Sequence, residues 1–188
     1  MAASPAIPGL FLCFAATVLL IFVCVSVPTW DAIYFLNVGQ GASQVRYGVF
    51  GFTGSDISIG YDFLETGSTN LNTSVIHNLT KALILHPIAC GLAGLAFLFG
   101  LCGARYHRVG TIFMTLLSSL AALACLVAFV LDMVLFGITR NRLRDAGVPA
   151  SYGNANWLTL GALIALLLGF CASACGSFGR YRKRKDNY

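Results

Sequence analysis

Apolar positions in this chain fall into four long runs, at about residues 9–27, 82–103, 111–138 and 155–178. Polar and turn-forming residues gather between them. The third run, TIFMTLLSSLAALACLVAFVLDMVLFGI, spans 28 residues with one charge, Asp132. As helix it would reach ~42 Å at ~1.5 Å per residue, against a hydrocarbon core of ~30 Å. The pattern predicts an all-α transmembrane four-helix bundle, a single membrane domain over residues 1–188. No basic residue precedes the first run, and it exceeds a signal-peptide core in length, so an uncleaved helix closed by Pro28 is expected.

The loop at 29–80 carries a different period. Val45, Tyr47 and Val49 alternate with other positions in VRYGVFGF, as do Ile57, Ile59, Tyr61 and Phe63 in the next segment. Both have the period-2 pattern of half-buried strands, and IYFLNV (Ile33–Val38) is a third candidate. Gly48 and Gly51 suggest a bulge or a close backbone approach. The loop is therefore expected to form a small antiparallel sheet between the first two helices. Two sequons, at Asn72 and Asn78, are candidate glycosylation sites, Asn72 the better placed because Asn78 is close to the next helix.

His86 and Pro87 lie in the first turns of the second span, where proline is tolerated and can kink the helix. ARYHRVG makes a tight basic turn into the third span, which outruns the bilayer and should continue as a surface helix through TRNRLRDAG, with Gly147 as C-cap. Asn154 can cap the fourth helix, with Trp157 at the interface. Within that helix Gly161, Ala165, Gly169, Ser173 and Ser177 recur every four residues, a small-residue face against which a neighbouring helix can pack closely.

Charge sets the orientation. With both termini in the cytoplasm, Arg105, Arg108 and the five basic residues of the tail at 179–188 lie inside, against Arg46, Lys81, Arg140, Arg142 and Arg144 outside. That margin and the sequons favour cytoplasmic termini and an extracellular sheet. The tail can also hold anionic lipid, or serve as an ordinary stop-transfer flank. The net charge of +5 forms no basic stripe interleaved with aromatics, so a nucleic-acid partner is not expected. All seven cysteines fall in apolar runs and read as small core residues, with Cys102, Cys171 and Cys175 near enough to helix ends for palmitoylation.

Reactive groups are few. No nucleophile–base pair, paired carboxylates or metal-ligand spacing stands out, so neither catalysis nor a cofactor is expected. The ionisable groups inside the spans are His86 and Asp132, which could lie at similar depth near the outer face. An intramembrane carboxylate is a functional candidate by default. It can serve structural pairing, for instance with Arg140, a polar path for ions or protons, or a partner contact. The polar path defines the alternative reading of the chain as a channel or transporter subunit.

VRYGVFGF (Val45–Phe52), IGYDF (Ile59–Phe63), DMVLFGITRNRLR (Asp132–Arg144) and YGNANWLTLGA (Tyr152–Ala162), in that order, resemble the fungal PalI-type family. These claudin-like tetraspans include ambient-pH regulators and eisosome (cortical-patch) proteins. Arg46, Tyr47, Gly48, Phe50, Gly51, Gly60 and Tyr61 carry the ectodomain part of the likeness. The resemblance implies a non-catalytic plasma-membrane protein that supports a signalling receptor in alkaline-pH sensing, or organises membrane domains and wall-linked sites. Its partners would be other membrane proteins met through lateral helix contacts, or further copies of itself. Members of that family often carry a cysteine pair in this loop. Here Thr53 follows Phe52 and the loop has no cysteine, so packing and hydrogen bonds must hold it.

Overall fold

The computed structural model describes residues 6–41, 44–64, 73–105 and 108–185. Its spanning helices are α1 (Ala6–Cys24), α3 (Leu85–Arg105), α4 (Arg108–Asp145) and α5 (Ala155–Lys185). A short helix, α2 (Ser74–Ala82), leads into α3, and all four long helices are apolar enough to cross a bilayer. They close a ring in which α1 packs on α3, α3 on α4, α4 on α5 and α5 back on α1. The centre of the ring is built from small residues, among them Ala16, Ala89, Ala93, Ala121, Cys125 and Ala162. Lipid supplies no hydrophobic drive for helix association, so close van der Waals approach at such residues has to hold the ring. The large apolar side chains, such as Phe11, Leu98, Leu116, Leu123 and Leu168, point outward.

From Gly110 to Asp132, α4 climbs ~33 Å at ~1.5 Å per residue, which uses up the hydrocarbon core. The turns beyond Asp132 are the spine of a cap, with Leu135, Phe136, Thr139 and Leu143 all buried. The helix ends where Gly147 takes φ 79°, its N–H bonding the Arg144 carbonyl and Val148 N–H bonding that of Leu143. That is a Schellman ending, and only glycine adopts its left-handed residue without strain.

The cap holds a three-stranded antiparallel sheet in the order β2-β1-β3, formed by β1 (Leu36–Val38), β2 (Val45–Tyr47) and β3 (Ala150–Tyr152). Leu36 stands opposite both Tyr47 and Tyr152, so β1 is the central strand. Two expectations change here. The sheet takes its third strand from the segment between α4 and α5, so it ties both loops together. Residues 57–63 form no strand: Tyr61 and Phe63 are buried, whereas Ile57 and Ile59 are exposed. A strand needs a ladder partner as well as an alternating pattern, and β2 is instead bridged at Tyr47 by Phe52.

Candidate functional site: a sealed ionisable pair beneath the cap

The chain leaving α1, residues 26–35, is gripped from two sides. On one side Ser26 Oγ accepts the Val49 N–H at 3.0 Å, and Gly48 lies so close to Val27 that a Cβ would overlap the Val27 carbonyl. On the other, Gly153 presses on the Tyr34 carbonyl in the same way. Asn154 then donates to the Ala32 carbonyl at 2.8 Å and accepts the Tyr34 N–H at 3.1 Å. Asn154 does stand at the start of α5, but both ends of its amide are engaged by this loop. Its backbone carbonyl, not its side chain, joins the first helical turn. Asn156 donates to the Phe35 carbonyl at 2.9 Å. Arg46 completes the grip, donating to the Asp31 carbonyl at 2.8 Å with its guanidinium 5.0 Å from the centre of the Tyr34 ring.

This grip holds Phe35, which is fully buried, against the top of the helix bundle. Its ring stacks on Phe136 at 5.1 Å and meets His86 edge-on at 5.4 Å. Beneath it His86 Nε2 lies 3.0 Å from Asp132 Oδ2, each side chain 1% exposed. The two ionisable groups of the spans are thus one pair, and Arg140 is not the partner of Asp132. Arg140 turns away, 4.9 Å over the Tyr152 ring.

Proline chemistry explains why His86 points inward. Pro87 has no N–H to offer the Leu83 carbonyl, which instead accepts the His86 N–H at 3.1 Å and Nδ1–H at 3.0 Å. Because a carbonyl can only accept, Nδ1 carries a proton. Nε2 is the ring nitrogen left to face the carboxylate. The carboxylate is poorly aligned with Nε2 for a hydrogen bond despite the short distance, and neither oxygen has another partner among the described residues. The arrangement is a compact contact between two buried ionisable groups, with the Phe35 ring against one of them.

Above the pair sits an aromatic cluster. Tyr47 packs on Phe63 at 4.8 Å and on Tyr61 at 6.1 Å, and the Tyr61 hydroxyl donates to the Gly48 carbonyl at 2.8 Å. Phe50 packs against this core, and Gly51 and Gly60 turn the chain around it. Burial first, then the neighbouring Tyr47 and Asp132, hold the Tyr61 phenol well above its usual range. Burial likewise raises that of Tyr47, offset in part by a bond from the Leu64 backbone. Thr53 bonds Arg46 through both backbone and hydroxyl in place of a loop cysteine.

The remaining candidates are scattered. Gly161, Ala165, Gly169 and Ser173 do not face a partner molecule, because α1 of the same chain fills the stripe. A Cβ on Gly169 would sit 3.3 Å from Leu12 Cβ, and one on Gly161 would sit 3.6 Å from Leu19 Cδ1. Asn78 is exposed on α2, and Asn72 lies outside the described residues. Cys13 and Cys125 are buried and Cys102 and Cys171 are exposed, whereas for Cys175 and the tail only the backbone, as far as residue 185, is described. No three His, Cys, Asp or Glu side chains converge among the described residues. Sequence reasoning missed Phe35, Asn154 and Asn156 as the parts that seal the site. Their only hint was a pair of asparagines beside a glycine at the mouth of an apolar run.

Four spanning helices and a sheet-bearing cap between them define a multi-pass membrane protein, a tetraspan of claudin-like architecture. The chain matches the model of the SUR7/PalI family over residues 5–169, and it belongs to that family. No individual curated protein matches it.

Proposed function

We propose that this protein is a non-catalytic accessory or scaffold subunit of the plasma membrane, with both termini in the cytoplasm and the cap outside. It would serve ambient-pH signalling or the organisation of membrane domains and wall-linked sites. The observation that carries this reading is where the polar chemistry goes. Ser26, Arg46, Asn154 and Asn156 all bind loop backbone, and His86 and Asp132 bind each other. Such a molecule is built to hold the shape of its cap, and a fixed shape is what recognition by another membrane protein needs. The alternative, a polar path through Asp132, is disfavoured because both side chains of the pair are 1% exposed and Phe35, stacked on Phe136, packs against His86.

Two experiments decide between them. Proximity labelling from the cap in native membranes should mark an integral membrane protein, and the mark should vanish when Gly48→Ala disrupts the cap. Reconstitution of the pure protein in liposomes should give no ion or proton flux. A flux abolished by Asp132→Asn would overturn the proposal in favour of the channel reading.

A further inference from the structure

Half of the alternating stripe in the first loop goes unused by the cap. Tyr61 and Phe63 enter its core, while Ile57 and Ile59, on the same parity, are 68% and 61% exposed. The loop that carries them is fixed at both ends to the two points where chain crosses the membrane boundary. Near one end, Gly51 sits where a Cβ would be 3.5 Å from Pro28 Cδ, just past the end of α1. At the other, the Lys81 side chain lies across Gly60, in the last turn before α3. Between these anchors the Ser58 N–H bonds the Phe50 carbonyl at 2.9 Å, which holds the loop to the cap without covering the isoleucines.

Lys81 stands five residues before His86, whose partner Asp132 lies where α4 has covered about the thickness of the hydrocarbon core. Trp30, in the segment that follows α1, is 47% exposed with its ring 5.9 Å from that of Phe22, and Trp157, in the first turn of α5, is 71% exposed. Both stand at the cap side of the bundle, where amphipathic rings favour the headgroup layer. After Lys81 come two further exposed apolar side chains, Ile84 in the turn before α3 and Ile88 in its first turns. Lys81 itself can lie along apolar surface with its ammonium at the phosphates. From this continuity we infer that Ile57 and Ile59 are an interfacial anchor: they insert into the acyl–headgroup boundary of the leaflet on the cap side and hold the cap down on its own membrane. The occupant of this apolar patch is lipid.

The unsubstituted protein tests this directly. Reconstituted in phosphatidylcholine vesicles that contain a lipid with a photoactivatable diazirine in its acyl chain, it should yield lipid adducts on residues 57–59 as well as on the helices. Adducts confined to the helices would overturn the inference, and so would protein–protein crosslinks through this loop in their place. As a second measurement, Ile57→Trp and Ile59→Trp, each in a Trp30→Phe/Trp157→Phe background, should be quenched by brominated acyl chains at least as strongly as Trp30 is in a Trp157→Phe control. Quenching by aqueous acrylamide without quenching by bromolipid would refute it.

Discussion

Removing one half of the His86–Asp132 pair should cost far more than removing both. At 3.0 Å the two groups attract by about 5–6 kcal/mol for an effective dielectric of ~20, before desolvation is subtracted. With each side chain 1% exposed, water cannot take the place of a missing partner. Asp132→Leu leaves a buried imidazole facing hydrocarbon, and His86→Leu leaves a buried carboxyl in the same position. Each single change should destabilise the fold by about 3–5 kcal/mol, whereas the double Leu variant should fall within about 1 kcal/mol of the parent. The unfolding midpoint in mixed micelles titrated with dodecyl sulfate, read by circular dichroism, supplies all four corners of the cycle. The coupling should be large, the double variant recovering most of what either single variant loses. The reasoning is refuted if Asp132→Leu is as stable as the parent, or if the two losses simply add.

The other predictions concern the grip, the stripe, the sequons and the phenols. Gly48→Ala and Gly153→Ala should each cost about 3 kcal/mol, because the new Cβ overlaps a backbone carbonyl that cannot move aside, and protease resistance of the cap in sealed vesicles should fall. Gly169→Leu should destabilise the bundle by about 1–3 kcal/mol, whereas Gly161→Ala, whose Cβ would meet Leu19 Cδ1 at an ordinary contact distance of 3.6 Å, should leave the thermal midpoint nearly unchanged. The threonine of the Asn78 sequon is buried although the asparagine is exposed: Thr80 is 1% exposed, its hydroxyl bonding the Tyr61 carbonyl at 3.0 Å and that of His77 at 2.8 Å. A glycosidase-sensitive mobility shift should therefore disappear with Asn72→Gln and survive Asn78→Gln. Tyr47 and Tyr61 keep their protons longer folded than unfolded, so their contribution is complete below the unfolded phenol value near 10 and is lost as pH rises beyond it. Cap unfolding followed by near-ultraviolet circular dichroism should steepen above about pH 10, and Tyr61→Phe should flatten the slope.

The spans were legible because lipid imposes one strong demand, about twenty apolar residues in sequence, and nothing local competes with it. The cap was half legible for the opposite reason. Val45–Tyr47 and the end of Ile33–Val38 are strands as their alternation requires, but Ile57–Phe63 has equal alternation and no ladder partner. Conversely Ala150–Tyr152 pairs with β1 although three residues after a helix cap carry no readable period. Strand pairing is a tertiary property, and a loop of this length leaves it undetermined. The stripe of small residues correctly announces a close neighbour but cannot say whose helix it is, and here α1 of the same chain fills it.

The site follows the same division. Each of its ionisable halves can be spotted alone, because a charge inside an apolar run is costly and must be answered. That His86 answers Asp132 depends on Pro87 depriving the Leu83 carbonyl of a donor, which turns the imidazole inward, and on Phe35 closing over it from a loop about 50 residues away. Phe35 is held there by Tyr47, Gly153 and Asn156, that is, by the first loop and by the mouth of α5 together. Cap and bundle are therefore not separable layers. Damage to the glycine contacts above should loosen the pair below, and loss of the pair should reach the cap through Phe35. A partner that recognised the cap would in effect be reading the state of the membrane helices beneath it.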